Sequence, residues 1–346
     1  MAVKKLNIEF ANFIFHMGSQ NLLDCFVDFV HPALFDGFSR KHDETTYFFH
    51  NIKLIDVEIK GEVNHFVYGR LVKNGVLHQE QIVNGENLVP VDNVYPNAPS
   101  SIFILSLSNH RLFLIKEHRD APTTDTLRTT VLHFVKQQRN LYINDLYDAN
   151  RIQREERGGN LRNITKTALR QQYPEPELDI ISMSSDADIS EFVNTLSSID
   201  TLTLDIIKPN NEADLSPIFD TLRDVGTELG AKKNKLTFQK GDRKTLKHEK
   251  VTKLSKEASR DNNVRFSIKG KDINKDIING TNEEFKLTVP LDEKFDTPKA
   301  TALVVYNKFL ELIEDGLIKQ PNTGEPNIIK RKINSILTLV KRFSDD

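Results

Sequence analysis

The chain has 346 residues, a formal net charge of −2, 38 % hydrophobic and 28 % charged residues, and one cysteine, Cys25. That length allows two ordinary domains and that composition a real core, which excludes a low-complexity or disordered chain. A single cysteine excludes an intrachain disulfide framework; with no apolar run of bilayer length and no signal peptide in the sequence, a cytoplasmic protein is expected.

Leu6, Ile8 and Phe10, then Phe13 and Phe15, alternate with polar residues and predict a half-buried strand with an irregularity near Ala11-Asn12. Ser19 is placed to cap a helix with the apolar stripe Leu22, Leu23, Phe26, Val27 and Val30, stopped by Pro32; Cys25 falls inside it and reads as core. Thr46–Lys60 and Asn64–Val72 read as paired strands around Lys60-Gly61. Lys73-Asn74-Gly75 reads as a turn, because Asn-Gly tolerates positive φ. Ser101–Leu107 and Arg111–Lys116 form a further hairpin. Pro122-Thr123-Thr124-Asp125 is a strong helix start, with Leu127, Val131, Phe134 and Val135 facing inward. A second, more polar helix is expected from Ile143 to about Glu156. Residues 1–155 are thus expected to form an antiparallel-sheet domain with helices.

Arg157-Gly158-Gly159-Asn160 and Pro174-Glu175-Pro176 break the chain, so 156–176 is expected to be a linker. Within it Arg162, Lys166 and Arg170 recur at spacing four and would share one helix face. From Glu177 strands and helices alternate, and 177–295 is expected to be a mixed α/β domain. Its strands are ELDIISM, TLTLDII, KLTFQK, VRFSIKG and EFKLTVPL; its helices are SSDADISEFVNTL, ADLSPIFDTLRDVGTEL and a basic one over about Thr245–Ser259. Helices beginning at Asp296-Thr297-Pro298 and at Pro326 fill 296–346. The fold class is α+β.

The charge is unevenly placed. Residues 231–271 hold fourteen Lys and Arg against four Asp and Glu. Such an excess generates a field that attracts polyanions. In the basic helix Leu246, Val251, Leu254 and Ala258 give a thin apolar stripe, which leaves Lys247, Lys250, Lys253 and Lys256 for solvent. Arg243 and Lys244 precede it; Arg265, Lys269 and Lys271 follow on a strand; Arg162, Lys166 and Arg170 would extend the footprint. Lysine acts as a point charge, whereas base readout favours Arg, Asn or Gln, so contact with the phosphate backbone of double-stranded DNA is expected, with little sequence preference. Only Phe238 and Phe266 stand among the basic residues as stacking candidates, and both sit at core-like positions, so a duplex is favoured over a single strand. RNA remains open, since phosphate chemistry is shared.

Enzyme motifs are sparse. The sequence has no GxxxxGK[ST], GxSxG or HExxH, and its ten histidines lack metal-ligand spacing, so no cofactor and no metal are expected. The alternative is a Mg²⁺-dependent nuclease built on Glu284 and Lys286, with Asp272 or Asp276 upstream. A third alternative is a protein-interaction module in which the basic helix docks an acidic partner.

Five segments, in order, carry a resemblance over about residues 100 to 315: SIFILSLSNHRLFLIKEHRDAPTTDTLRTTVLHFV, EFVNTLSSIDTLTLDIIKP, VRFSIKGK, EFKLTVPL and KATALVVYNKFLELI. In this order the chain resembles the RexA-like phage-exclusion family and its abortive-infection relatives. The resemblance implies a cytoplasmic homodimer that binds DNA with little sequence preference, acts with a separately encoded membrane protein, and arrests phage propagation. The family's basic pair maps onto Lys269 and Lys271; the family has Arg at the first position, so Lys269 lacks its fork. The basic helix and the last helix depart from the family pattern.

Overall fold

A computed structural model describes residues 6–158, 162–210, 216–291, 297–321 and 323–345. They form two antiparallel sheets clad by helices, in the α+β class. In chain order the first part comprises β1 (Leu6–Met17), β2 (Gln20–Asn21), a π-helical turn (Phe26–Val30), α1 (His31–Phe35), β3 (Ser39–His42), β4 (Thr45–Ile59), β5 (Glu62–Asn84), β6 (Asn87–Asn97), β7 (Ser100–Ser106), β8 (Arg111–Lys116), α2 (Thr124–Glu156), α3 (Lys166–Gln172) and β9 (Pro176–Ser182). The rest comprises α4 (Asp186–Thr195), β10 (Ser198–Ile206), α5 (Pro217–Glu228), β11 (Asn234–Gln239), α6 (His248–Asp261), β12 (Val264–Lys271), β13 (Ile277–Thr281), β14 (Thr288–Leu291), α7 (Pro298–Glu314) and α8 (Pro326–Asp345).

The large sheet runs β14-β1-β8-β7-β5-β4-β3. β1 is its hub: Leu6–Glu9 pair with β14, Ile8–Asn12 with β8, and Ala11–Met17 with β9. Successive side chains of a strand leave opposite faces, and β1 is buried on both. Ile8 and Phe10 join the core under α7, with Ile55, Phe66, Phe113 and Phe309. Ala11, Phe13 and Phe15 join the core under α2 and α8, with Leu105, Phe134, Ile333 and Ile336. Both C-terminal helices therefore pack on this sheet. The second sheet, β11-β10-β12-β13, packs one face under α4, α5 and α6, where Leu202, Leu204, Phe266 and Ile268 meet Val193, Phe219, Val251 and Ala258.

Local signals explain several elements. Lys60 and Gly61 both have positive φ (50° and 80°), as a two-residue hairpin turn requires. Thr123 accepts from the Thr126 amide and caps α2, which continues as one 33-residue helix through the stretch expected to be separate.

Elsewhere tertiary context overrides the local signal. Ser19 caps no helix; it lies in the turn between β1 and β2, and Pro32 sits in the first turn of α1 instead of ending a helix. Asn74-Gly75 is not a turn, because β5 runs straight through it; a Cβ on Gly75 would lie 3.1 Å from Thr45 Oγ1, so the glycine answers a close approach. The turn comes at Gly85, φ +65°. EFKLTVPL is a strand only over Thr288–Leu291, and β13 is an additional strand that the sequence pattern does not predict. Gly159, Asn160 and Asp296 lie outside the described residues.

The 177–295 stretch is divided. Its first and last strands, β9 and β14, belong to the large sheet, both on β1. The residues between them form the second sheet and its helices, and an isolated bridge from Ser184 to Lys286 closes the neck. This module docks by the end of β10 and the start of β12. There Asn210 Nδ2 donates to Phe13 O (2.8 Å), Asn210 Oδ1 accepts from the Phe15 amide (2.9 Å), and Asn12 Nδ2 donates to Asn262 O (3.1 Å). Arg223 stands behind this joint, donating to Ile207 O and Asp261 Oδ1 (both 2.9 Å), and burial pulls its pKa down to about 10.

Candidate nucleic-acid interface

The docked end of the module is its proximal end, and the opposite end is distal. Arg265 and Lys271 mark the two ends of β12, six residues and about 20 Å apart.

On β12, Val264, Phe266 and Ile268 point into the helix-covered core. Arg265, Ser267, Lys269 and Lys271 therefore leave the opposite, helix-free face. Cross-strand rows on that face read Gln239–Thr201–Lys269–Asn279, then Thr237–Thr203–Ser267–Thr281, then Lys235–Asp205–Arg265. The last, proximal row is neutralised: Arg265 Nη2 lies 3.0 Å from Asp179 Oδ1, and Lys235 Nζ 3.8 Å from Asp205 Oδ1. Lys240 is likewise matched by Asp200 at 2.5 Å. Lys269, exposed, and Lys271, half-buried, have no ion-pair partner among the described residues. Gly270 between them is small by necessity: a Cβ there would lie 2.4 Å from Ser198 O.

α6 lies on the other side of the sheet. Val251, Ser255, Ala258 and Ser259 form its buried stripe, and these small residues let it sit close to α4 and β12. Lys247, Lys250 and Lys253 are exposed and Lys256 is half-buried. Lysines at spacing three drift around a helix, so these four span much of the solvent-facing surface. Lys250 Nζ lies 3.8 Å from Glu249 and Arg260 is paired with Asp186 at 2.5 Å. Lys247, Lys253 and Lys256 are unpaired among the described residues.

The strand lysines and the helix lysines thus leave opposite faces, yet one end of the module gathers part of both sets. Ile199, near the start of β10, pairs with Gly270. The Ile199 amide also donates to Thr245 Oγ1 (2.8 Å), and Ile199 O accepts from the Leu246 amide (3.0 Å). The segment Arg243–Lys247 therefore stands two strands from Lys269 and Lys271. His248 Nε2 lies 2.9 Å from Leu196 O, and the Ser197 amide donates to Lys271 O (2.8 Å), which fixes the start of α6 and the end of β12 to the same loop.

The first turn of α6 breaks the usual capping rule. Lys247 occupies the N-cap and makes no side-chain cap bond; Lys250 follows, and Glu249 is the one acid in the turn. Helix N-termini carry partial positive charge and unmatched amides, which favour Asp, Ser or Thr, and cations there raise the energy.

Other expected contributors are elsewhere. Only Lys166 and Arg170 are on α3; Arg162 precedes it. Lys166 donates to Asn144 Oδ1 (2.7 Å) and its Nζ sits 5.0 Å from the Tyr147 ring centroid, so this group belongs to the α2–α3 corner of the large sheet. The nuclease candidates are dispersed among structural bonds: Lys286 Nζ is 3.0 Å from Glu9 Oε1, Glu284 accepts from the Thr281 hydroxyl and amide, and Asp272 accepts from the Asp276 amide. No group of three His, Cys, Asp or Glu side chains is poised for a metal among the described residues.

Sequence reasoning missed Ile273 and Ile277, which are 85 % and 62 % exposed in and after the β12–β13 turn. Lys275, at φ +71°, stands between them. Their one local signal is Asp272, whose carboxylate caps the Asp276 amide and closes the turn.

No described helix is long and apolar enough to cross a membrane. No protein-family model matches the chain, and no curated protein matches it either.

Proposed function

We propose that the chain binds double-stranded DNA through its phosphates at the distal edge of the second sheet, without base readout. The observation that carries this is the lysine-loaded, uncapped start of α6 at the same end of the module as Lys269 and Lys271. Local rules are broken where function repays the cost. A phosphate seated at this end would accept from the first helical amides and neutralise Lys247, Arg243 and Lys244; the strand lysines would hold the next phosphates along the backbone. Lys253 and Lys256 extend the contact along α6. The cellular setting follows from the RexA-like resemblance: phage exclusion in the cytoplasm, as a homodimer, with a separately encoded membrane protein.

Binding of a random-sequence duplex across a salt series tests this. Wild type should weaken linearly in log–log form, and Lys269→Glu/Lys271→Glu should lose most affinity with an unchanged circular dichroism spectrum. Absence of wild-type binding at low salt would end the proposal.

Ile273 and Ile277 favour a second function, docking of an acidic protein at the same edge, because phosphate contact has no use for exposed apolar side chains. Ile273→Ser/Ile277→Ser separates the two: duplex binding should survive it, whereas protein docking should not.

A further inference from the structure

Residues 75–97 leave the large sheet as a two-stranded ribbon. β4 pairs with β5 as far as Asn74 and β7 as far as Val72; beyond them β6 is the recorded neighbour. None of these ribbon residues packs into any of the three cores. Val76, Leu77, Val83, Leu88, Val94 and Tyr95 are exposed, Val83 by 72 % and Leu88 by 69 %. An isolated two-stranded ribbon is marginal in water, and clustered exposed apolar side chains mark interaction sites. The ribbon's formal charges are Glu80, Glu86 and Asp92, with no Lys or Arg. Phosphate backbones and anionic membranes repel such a surface; a cationic, partly apolar protein surface suits it.

The chain owns one. On α8, Ile328, Arg331, Ser335 and Leu339 form one exposed stripe at spacings three, four and four, with Arg331 as its cation. Its apolar ends, Ile328 and Leu339, are eleven residues and about 17 Å apart. On the ribbon, the cross-strand pairs Leu77–Tyr95 and Val83–Leu88 share one face, separated by six residues, about 20 Å. Each surface thus has two apolar anchors at similar separation, and their charges are opposite.

We propose that the ribbon docks on α8 of a second copy of this chain. Exchange about a two-fold axis makes the contact twice and closes the assembly at two. This does not rest on the nucleic-acid proposal, since the ribbon and α8 lie outside the distal edge.

Sedimentation equilibrium on the full chain tests it. Wild type should be a dimer that weakens with salt. Val83→Lys/Leu88→Lys, at sites that touch no core, should be monomeric at concentrations where wild type is dimeric, with an unchanged circular dichroism spectrum. Arg331→Glu/Ser335→Glu should behave alike, and mixing the two variants should restore part of the association, because one ribbon and one α8 remain intact. Glu80→Gln/Glu86→Gln/Asp92→Asn should weaken the dimer. A monomeric wild type, an undiminished Val83→Lys/Leu88→Lys dimer, or a dimer tightened by removing the acids (the result expected if ribbons paired with each other) would each overturn the proposal.

Discussion

Asn12 Nδ2 donates to Asn263 Oδ1 at 3.0 Å, joining the middle of β1 to the turn before β12. The same amide's Oδ1 accepts from Arg111 Nη1 at 2.5 Å, and all three residues are buried. Asn12→Leu keeps the branched shape and removes all three side-chain hydrogen bonds, the one to Asn262 O included. A buried polar group that loses its partner costs about 1–3 kcal/mol. The expected outcome is a lowered denaturation midpoint and faster amide exchange at the start of β12.

Lys247→Asp should move stability and binding in opposite directions. A carboxylate at the N-cap accepts from first-turn amides and matches the helix dipole, a gain of about 0.5–2 kcal/mol. Duplex affinity should fall in the same variant. A variant that is more stable and binds as well as wild type would remove Lys247 from the interface.

Arg265→Gln is the contrasting substitution on the same strand face. Arg265 is proximal and matched by Asp179. Affinity and salt slope should therefore stay at wild-type values, as they should for Lys166→Gln/Arg170→Gln at the α2–α3 corner. Each distal lysine removed should instead reduce the slope by about 1.

His110 makes the fold acid-sensitive. It is fully buried, and neither ring nitrogen has a hydrogen-bond partner among the described residues. Burial first, and then the Arg111 charge, push its pKa down to about 3 from 6.5. The unfolded chain takes up a proton below pH 6.5 while the folded chain does not until about pH 3. Stability therefore falls on acidification across that window, at up to about 1.4 kcal/mol per pH unit. His110→Asn, which tolerates the positive φ of 56°, should flatten a plot of unfolding free energy against pH. The flattening should be partial, since burial also lowers the pKa of His16.

Gly270→Ala tests the packing beneath the lysine pair. Its Cβ would meet Ser198 O at 2.4 Å and Leu196 side-chain carbons at 3.1 and 3.2 Å. Backbone cannot yield as a side-chain tip can, so a loss of about 1–3 kcal/mol is expected in urea denaturation.

Elements written in contiguous residues were legible in the sequence. The Thr123 cap, the Lys60-Gly61 turn and the thin stripe of α6 each depend on neighbours within four positions. Two kinds of information were not local. Asn74-Gly75 carries a turn signal, but β5 continues because Thr45 crowds Gly75 and the sheet supplies partners on both sides. The distal edge is the second kind. Periodicity predicts that Lys269 and Lys271 share a face, and that α6 exposes lysines. It cannot say that Thr245 meets Ile199, which brings the start of α6 to the end of β12 and leaves Arg265 at the far end.

The placement of β9 and β14 on β1 dictates an order of assembly. β1 leaves the ribosome before the strands that complete its edge, 176–182 and 288–291. The hub strand must wait with Phe10, Phe13 and Phe15 unprotected while well over a hundred further residues are made. The module between β9 and β14 enters and leaves through the Ser184–Lys286 neck, so it can form as a closed loop before the larger sheet is finished. Closing a sheet through contacts this distant in sequence is slow. The rate-limiting step of refolding should therefore be the arrival of β14, not the formation of the helices.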